Sequence, residues 1–411
     1  MTRVLVTAEA FGFGPASKLH AVCAELAGRG AECHLVGEKS ALTFARANAA
    51  TFTSITEVGS MAELAAVAPG GFDAAISVMD PFLPLWARIN DVPCLYVDSL
   101  YWFWSWSPER EADLRRTAGH LVTTGGLEAM RSITLHDSQY IAHHLSDLTC
   151  AQRAPKVAPR LGLLRGLPNV TPVDAIVDLS HRAHAPRTGW LATTSGIVNP
   201  LVPVESALAW VEVVGVLLDE AAQVHGAGEP IVLAGNPAVL ARARVPGRIE
   251  PAPMEHGAIL KSMNAALACL APPGLTTALE CAAYGTPLVF LPEQHYGHLT
   301  NYREIAQCAA AGAFPHALVD PGGRVSPTGD ILAQTLAIAE RLRGHARRRD
   351  EVWTRMVNGL AEGMRRASRE PLHAAQDAAM RRFCGGYGGA GQVVGALESL
   401  LSSAPRRRVT L

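Results

Sequence analysis

Residues 270–306 read LAPPGLTTALECAAYGTPLVFLPEQHYGHLTNYREIA, and this stretch decides the fold of the chain. The apolar run at 265–270 has the length of a buried strand, and a Pro-Pro-Gly segment ends it. Residues 276–284 then take up the helical period, and a second apolar run follows at 288–291. A strand, a short loop, a helix and a second strand in this order predict a parallel α/β unit, whose ligands bind at the carboxyl ends of the strands.

The start of the predicted helix is suited to an anion. The first backbone N–H groups of a helix have no partner within it, and the hydroxyls of Thr276 and Thr277 add donors that suit a pyrophosphate. Glu280 follows one turn later, where a carboxylate can accept hydrogen bonds from both hydroxyls of a ribose. The segment therefore predicts a site for a nucleoside diphosphate.

This order of elements resembles the carboxyl-terminal half of GT-B glycosyltransferases, such as plant and antibiotic UDP-sugar transferases and the peptidoglycan transferase that uses UDP-N-acetylglucosamine. In that family a small-Thr-Thr-x-x-Glu segment holds phosphate and ribose, and an acidic residue followed by Gln holds the donor sugar. The resemblance implies donor contacts at Gly274, Thr276, Thr277, Glu280, Glu293 and Gln294, and His295 follows at the same edge. The alternative is an ordinary βαβ unit with a capped helix.

More of the second half fits a donor domain. A polar, turn-rich segment at 179–188 predicts an interdomain linker, and a new strand is predicted at 190–194. Ser195 and Gly196 after that strand can add N–H donors to the phosphates. In the resembling family the backbone after the third strand lies against uracil, which here implies Met254.

The length of 411 residues with 49% hydrophobic side chains predicts two α/β domains. The resemblance implies the fold class, which is GT-B, with two Rossmann-like domains that face each other across a cleft. We predict an acceptor domain at 1–180, a UDP-sugar domain at 181–370, and a helix and tail at 371–411 that cross back to the first domain.

The charge balance of 36 basic and 37 acidic side chains gives no field that would attract nucleic acid or an anionic membrane. The sequence contains no membrane-spanning run and no signal peptide before the first strand, which predicts a cytoplasmic protein.

The eight cysteines form no C-x-x-C pair, so we expect buried thiols and no metal site. The expected partners are small molecules, with a UDP-sugar as co-substrate and no cofactor. The oligomeric state is left open, a homodimer included.

The first half begins with a strand at 4–8, a loop at 11–17 and a helix at 18–28. The loop supplies only two glycines of a G-x-G-x-x-G motif and does not fit a P-loop. Many of the resembling transferases carry a catalytic His at the start of this helix, where Pro15 stands here. The catalytic base is therefore predicted among carboxylates at strand ends, Asp80 and Asp98, with Glu9 behind them. Capping of a turn or helix is the alternative for each.

Aromatic residues are concentrated at 101–106, directly after the strand that ends near Asp98. They predict either a stacking platform for a flat acceptor or a lid on the core. In the first interpretation Tyr101, Trp102 and Trp104 contact the acceptor.

The segments at 12–18 and 98–104 together resemble the cytosylglucuronic acid synthases of peptidyl-nucleoside antibiotic pathways. The resemblance implies transfer of glucuronate from UDP-glucuronate to N1 of cytosine or 5-hydroxymethylcytosine, with inversion. Acceptor contacts are then expected at Gly14, Ser17, Lys18, Tyr101, Trp102 and Trp104. The glucuronate carboxylate needs a cation or donors, for which Lys18, His295, His298 and Arg303 are candidates.

Three other functions remain compatible with the sequence. A transferase with another natural-product acceptor shares every donor feature. A sugar-nucleotide 2-epimerase shares the fold but requires several carboxylates and a His around the sugar. A nucleotide-binding protein without turnover keeps the nucleotide contacts and lacks a base.

Overall fold

The structure is a computed structural model that describes residues 1–164, 166–167, 169–184, 186–194, 196–197, 202, 204–322 and 331–403. Contacts divide the chain into two compact units. Unit 1 contains Met1–Asp178 and the chain from Cys384 onward, and unit 2 contains Leu179–Phe383. The sequence placed the corresponding boundaries at 180/181 and 370/371.

The described strands are, in chain order, β1 Arg3–Ala8, β2 Glu32–Gly37, β3 Ser54–Glu57, β4 Ala74–Val78, β5 Cys94–Asp98, β6 Leu148–Gln152, β7 Val170–Val173, β8 Trp190–Thr193, β9 Ile231–Gly235, β10 Ile249–Pro253, β11 Ala268–Ala271 and β12 Leu288–Phe290.

The described helices are α1 Gly14–Gly28, α2 Lys39–Ala47, α3 Met61–Ala65, α4 Phe82–Ile89, α5 Pro108–Thr124, α6 Leu127–Met130, α7 Leu135–Leu145, α8 Val157–Leu163, α9 Val204–His225, α10 Pro237–Leu240, α11 His256–Ala265, α12 Leu275–Tyr284, α13 Tyr296–Gln307, α14 Ile331–Arg348, α15 Glu351–Arg369, α16 Leu372–Cys384 and α17 Gly389–Ser403.

Each unit is built on one parallel sheet. The strand order is β3-β2-β1-β4-β5-β6-β7 in unit 1 and β10-β9-β8-β11-β12 in unit 2. Because the paired strands run parallel, their carboxyl ends lie along one edge of each sheet. The residues that follow β1, β4 and β5 are thus neighbours in unit 1, and those that follow β8, β11 and β12 are neighbours in unit 2.

The cores explain why the strands form where they do. The strands β4 and β5 are buried along their whole length, which fits central strands of a sheet that is covered on both faces. The helix α17 packs against α1, and its side chains Val393, Val394 and Leu397 join the core of unit 1. The end of the chain therefore contributes to the first unit rather than to the one that precedes it in sequence.

Two predicted elements differ in the structure. The first helix begins at Gly14 rather than at residue 18, because Pro15 is tolerated in the first turn, where its missing N–H has no helical partner. The one helix predicted within 371–411 corresponds to α17, and the structure adds α16 before it, which belongs almost entirely to unit 2. In the described part of the chain, no helix combines the length and the apolar character that a membrane crossing requires.

Candidate active site

The predicted anion site lies at the start of α12, directly after β11. Gly274 precedes the helix and offers no side chain to cap its first turn. Thr276 is half-buried and Thr277 is buried within that turn. The amino end of this helix thus lies at the carboxyl edge of the sheet, with two hydroxyls beside its N–H groups, and this arrangement suits a diphosphate.

Glu280, the predicted ribose ligand, is buried one turn further along α12. Its Oε1 lies 3.5 Å from Nε2 of His256, and both side chains are largely buried. His256 begins α11, two residues after Met254. Sequence analysis did not identify this histidine, although its position just after the third strand of the unit placed it near the predicted uracil contact.

Gln294 follows β12 and is held at the same edge. Its Nε2 donates to the carbonyl oxygen of Thr194 at 2.8 Å, and its backbone N–H donates to Nδ1 of His298 at 3.1 Å. Its Oε1 is buried and has no hydrogen-bond partner among the described residues, and the same is true of the Thr194 hydroxyl. A polar ligand such as a sugar hydroxyl would satisfy both atoms.

Glu293 connects the end of β12 to a later segment of the chain. It is completely buried, and its carboxylate oxygens accept hydrogen bonds from the backbone N–H groups of Val319 at 2.8 Å and Asp320 at 3.0 Å. Both oxygens are therefore engaged in tying the segment around Val319 to the end of β12. Each oxygen keeps a second lone pair, and the donor-sugar contact of Glu293 stays a prediction.

The two histidines after Gln294 are neutral at physiological pH. Burial lowers the pKa of His295 to about 4, and burial together with His295 lowers the pKa of His298 well below its usual value. The rings lie 3.9 Å apart, and Nδ1 of His295 accepts from the N–H of Gly297. Neither imidazole can supply the positive charge that the sequence analysis considered for a glucuronate carboxylate.

The remaining donor candidates lie at neighbouring strand ends. Gly196 is half-buried after β8, and Met254 is half-buried after β10, where its sulfur accepts a weak hydrogen bond from the Ser262 hydroxyl at 3.7 Å. Arg303 is half-buried on α13. Ser195 lies outside the described residues.

Asp80 follows β4 in unit 1 and keeps one carboxylate oxygen available. Its Oδ1 accepts from the backbone N–H groups of Phe82 at 3.0 Å and Leu83 at 3.2 Å, at the start of α4. Its Oδ2 makes no hydrogen bond to the described residues. Burial raises the pKa of Asp80 to about 6. Met79, just before it, has φ 64°, a strained conformation for a side chain of this kind and a frequent sign of a functional site.

Glu9 follows β1, the strand beside β4. Its backbone N–H donates to the carbonyl of Val78 at 2.9 Å. Burial, with the negative charges of Asp80 and Asp98, raises the pKa of Glu9 to about 8. Glu9 is therefore protonated at pH 7, so this edge combines a carboxylic acid with a carboxylate of lower pKa.

Asp98 is structural in this arrangement. It is completely buried, and its Oδ1 accepts from the N–H of Leu100 at 2.6 Å. Its Oδ2 accepts from the indole N–H of Trp104 at 2.9 Å and lies 2.8 Å from Nε2 of His143. Both oxygens are engaged, a pattern that favours the capping alternative over the predicted catalytic base.

The aromatic segment at 101–106 also differs from the predicted platform. Tyr101, Trp102 and Trp104 are buried, and Trp104 belongs to the core of unit 1. The indole N–H of Trp104 donates to Asp98, and only 6% of the residue is exposed. This burial favours the alternative, in which these rings cover the core.

The predicted contacts on α1 are mostly turned inward. Ser17 is buried, and its hydroxyl donates to the carbonyl of Gly14 at 2.9 Å, within the first turn of the helix. Lys18 is buried on the same helix, and Gly14 is half-buried. The early start of α1 thus uses the Ser17 hydroxyl locally rather than leaving it in a loop.

No protein-family model matches the chain, and no curated protein matches its sequence. Among solved structures, spinosyn forosaminyltransferase SpnP has a TM-score of 0.51 and 14% identity and covers 98% of this chain and 100% of its own. A Listeria monocytogenes protein assigned provisionally as a UDP-N-acetylglucosamine 2-epimerase has a TM-score of 0.50 and 10% identity, with 98% of both chains covered. The calicheamicin glycosyltransferase CalG4 has a TM-score of 0.47 and 16% identity and covers 98% of this chain and 100% of its own.

These similarities establish the fold. The chain is an α/β protein of the GT-B type with two Rossmann-like units, which confirms the predicted fold class. A transferase and a protein assigned as an epimerase share this fold, so the reaction must be argued from the residues of this chain.

Proposed function

We propose that this protein is an inverting UDP-sugar glycosyltransferase that transfers glucuronate from UDP-glucuronate to N1 of cytosine or 5-hydroxymethylcytosine. One observation carries the assignment of a UDP-sugar as donor: buried Glu280 lies one helical turn behind the Thr276-Thr277 pair at the start of α12. That spacing matches the distance between a diphosphate and its ribose. The identity of the sugar and of the acceptor is supported by the resemblance of the segments at 12–18 and 98–104.

In this proposal unit 2 binds the donor. The amino end of α12 stabilises the negative charge that develops on the departing UDP. The Glu280 carboxylate accepts hydrogen bonds from the ribose hydroxyls, and the side-chain carbonyl of Gln294 accepts one from the sugar. Each contact satisfies a group whose position at the sheet edge is already fixed by secondary structure.

Unit 1 supplies the base. Oδ2 of Asp80 takes the proton from N1 of the pyrimidine as N1 forms a bond to the anomeric carbon. The bond from that carbon to the diphosphate oxygen breaks on the opposite side, which inverts the configuration and releases UDP. Glu9, protonated at neutral pH, can donate a hydrogen bond to the acceptor and cannot compete for the proton.

The decisive experiment incubates the full chain with UDP-glucuronate and cytosine and follows UDP and the glycosylated base by mass spectrometry. Formation of both products supports the proposal. Transfer only to a hydroxylated natural product would retain the transferase and reject the pyrimidine acceptor.

A 2-epimerase is the second candidate, because a protein so assigned shares the fold at a TM-score of 0.50. Glu293 and His295 were the groups that left this possibility open. Glu293 accepts hydrogen bonds from two backbone N–H groups, and burial lowers the pKa of His295 to about 4, which makes this imidazole a weak base. An epimerised UDP-sugar formed without any acceptor would nevertheless replace the transferase proposal.

A further inference from the structure

The segment after β5 contains buried polar atoms that have no hydrogen-bond partner among the described residues. They are the hydroxyl of Tyr101 and the indole N–H groups of Trp102 and Trp106. Folded proteins leave few buried donors unpaired, because such groups lose their hydration without compensation. Their concentration in one segment indicates that a bound molecule or ordered water completes them.

Arg160 lies beside this segment. It is on α8, which follows β6, the neighbour of β5 in the sheet. Its guanidinium donates to the carbonyl oxygen of Trp102 at 3.4 Å, and the side chain is half-buried. Within the described ranges no carboxylate forms an ion pair with it. The guanidinium of Arg160 therefore keeps N–H donors that are free to bind an acceptor.

The positive charge of Arg160 acts on the hydroxyl of Tyr101 and affects its pKa. Burial raises the pKa of the Tyr101 phenol far above its usual value, and Arg160 acts in the opposite direction. The phenol therefore keeps its proton and remains a donor at any physiological pH. A guanidinium and a protonated phenol are both donors toward a third group, so an acceptor between them would satisfy both.

We propose that Arg160 and the Tyr101 hydroxyl bind a planar pair of hydrogen-bond acceptor atoms on the acceptor substrate. A guanidinium presents its N–H groups as a flat fork, which matches two coplanar acceptors and not a single point. The O2/N3 edge of cytosine and a carboxylate both offer such a pair. The inference rests on the proposed function, because it assigns the acceptor of that reaction.

The location of Arg160 and Tyr101 and their hydrogen-bonding groups both fit a binding site for the acceptor substrate. The strands β4, β5 and β6 are consecutive in the sheet, so Asp80, Tyr101 and Arg160 all follow strands that end at one edge. Binding of cytosine through O2 and N3 leaves N1–H on the other side of the carbonyl, open to a base. Tyr101 then contributes through its hydroxyl, while its ring stays packed edge-on against His143, with centroids 5.3 Å apart.

Calorimetry on the full chain, with and without UDP, tests this directly. Three probes separate the possibilities: cytosine, 4-aminopyrimidine, which lacks the C2 carbonyl, and benzoate as a carboxylate. We expect the wild type to prefer cytosine to 4-aminopyrimidine about tenfold, and Arg160→Met and Tyr101→Phe each to weaken cytosine about tenfold and remove the preference. Arg116→Met, an exposed arginine on α5, is the matched control and should change nothing. Binding of benzoate in place of cytosine, with the same loss in both variants, would assign the site to a carboxylate.

The thermal midpoint separates a binding role from a structural one. Tyr101→Phe removes an unpaired hydroxyl, so its melting temperature should equal or exceed that of the wild type. A lower melting temperature with unchanged probe affinity would overturn the inference, as would a wild type that binds none of the probes. Loss of UDP binding or of transfer in the wild type would count against the proposed function and leave the Arg160 result unaffected.

Discussion

Replacing Glu9 by Gln should stabilise the protein at high pH and leave its stability at low pH nearly unchanged. The pKa of Glu9 rises from 4.5 to about 8, mainly because of burial. Since the folded value exceeds the unfolded one, the stability linked to this group is fully present below about pH 4.5 and is lost as the pH rises through about 8. At about 1.4 kcal/mol per pH unit, the whole shift corresponds to about 4–5 kcal/mol as an upper limit. Glutamine resembles the neutral acid in shape and carries no charge to desolvate.

Urea unfolding of wild type and Glu9→Gln at pH 5 and pH 8.5 measures this effect. The difference between the two proteins should grow by at least about 2 kcal/mol between these pH values, in favour of the variant. Because the chain has two units, the comparison uses the transition that changes with the mutation. Glu57→Gln is the control, since the Glu57 side chain is 61% exposed and should give no such growth. Parallel stability profiles for wild type and Glu9→Gln would refute the assignment of a half-buried Glu9 that is protonated at pH 7.

The other predictions concern the donor site, the base and the end of β12. Glu280→Ala should weaken UDP binding at least about tenfold, through loss of two hydrogen bonds to the ribose, and an unchanged calorimetric affinity would remove Glu280 from the site. Asp80→Asn keeps an oxygen for the N–H groups at the start of α4 and should lower kcat by about 10²–10⁴. In the wild type the rate should rise with pH through about 6, as Asp80 loses its proton, and a flat profile in that range would exclude it as the base. Glu293→Ala leaves the N–H groups of Val319 and Asp320 unpaired and should cost about 1–3 kcal/mol for each, measured by urea unfolding. If that variant instead lost sugar-dependent turnover at full stability, Glu293 would belong to the donor site.

The sequence by itself determined the parallel α/β class and the strand, loop and helix that place Thr276, Thr277 and Glu280. These features depend on contacts within a few residues. An apolar run of strand length, a Pro-Pro-Gly break and a helical period each appear in the local order of residues. The structure gives β11 at Ala268–Ala271 and α12 at Leu275–Tyr284, within a few residues of the predicted bounds. The helix α16 was missed, because only one helix was predicted within 371–411.

Only the tertiary structure decided which polar side chains are available to a ligand. Asp80 and Asp98 look alike in sequence, since each follows an apolar strand. Asp98 is engaged because His143, 45 positions away, and Trp104 reach its carboxylate, whereas Oδ2 of Asp80 has no hydrogen-bond partner in the described part of the chain. Arg160 had no local signal, because its significance depends on residues about 58 positions earlier. Hydrogen-bond partners and burial are set by strand order and helix packing, which local sequence does not encode.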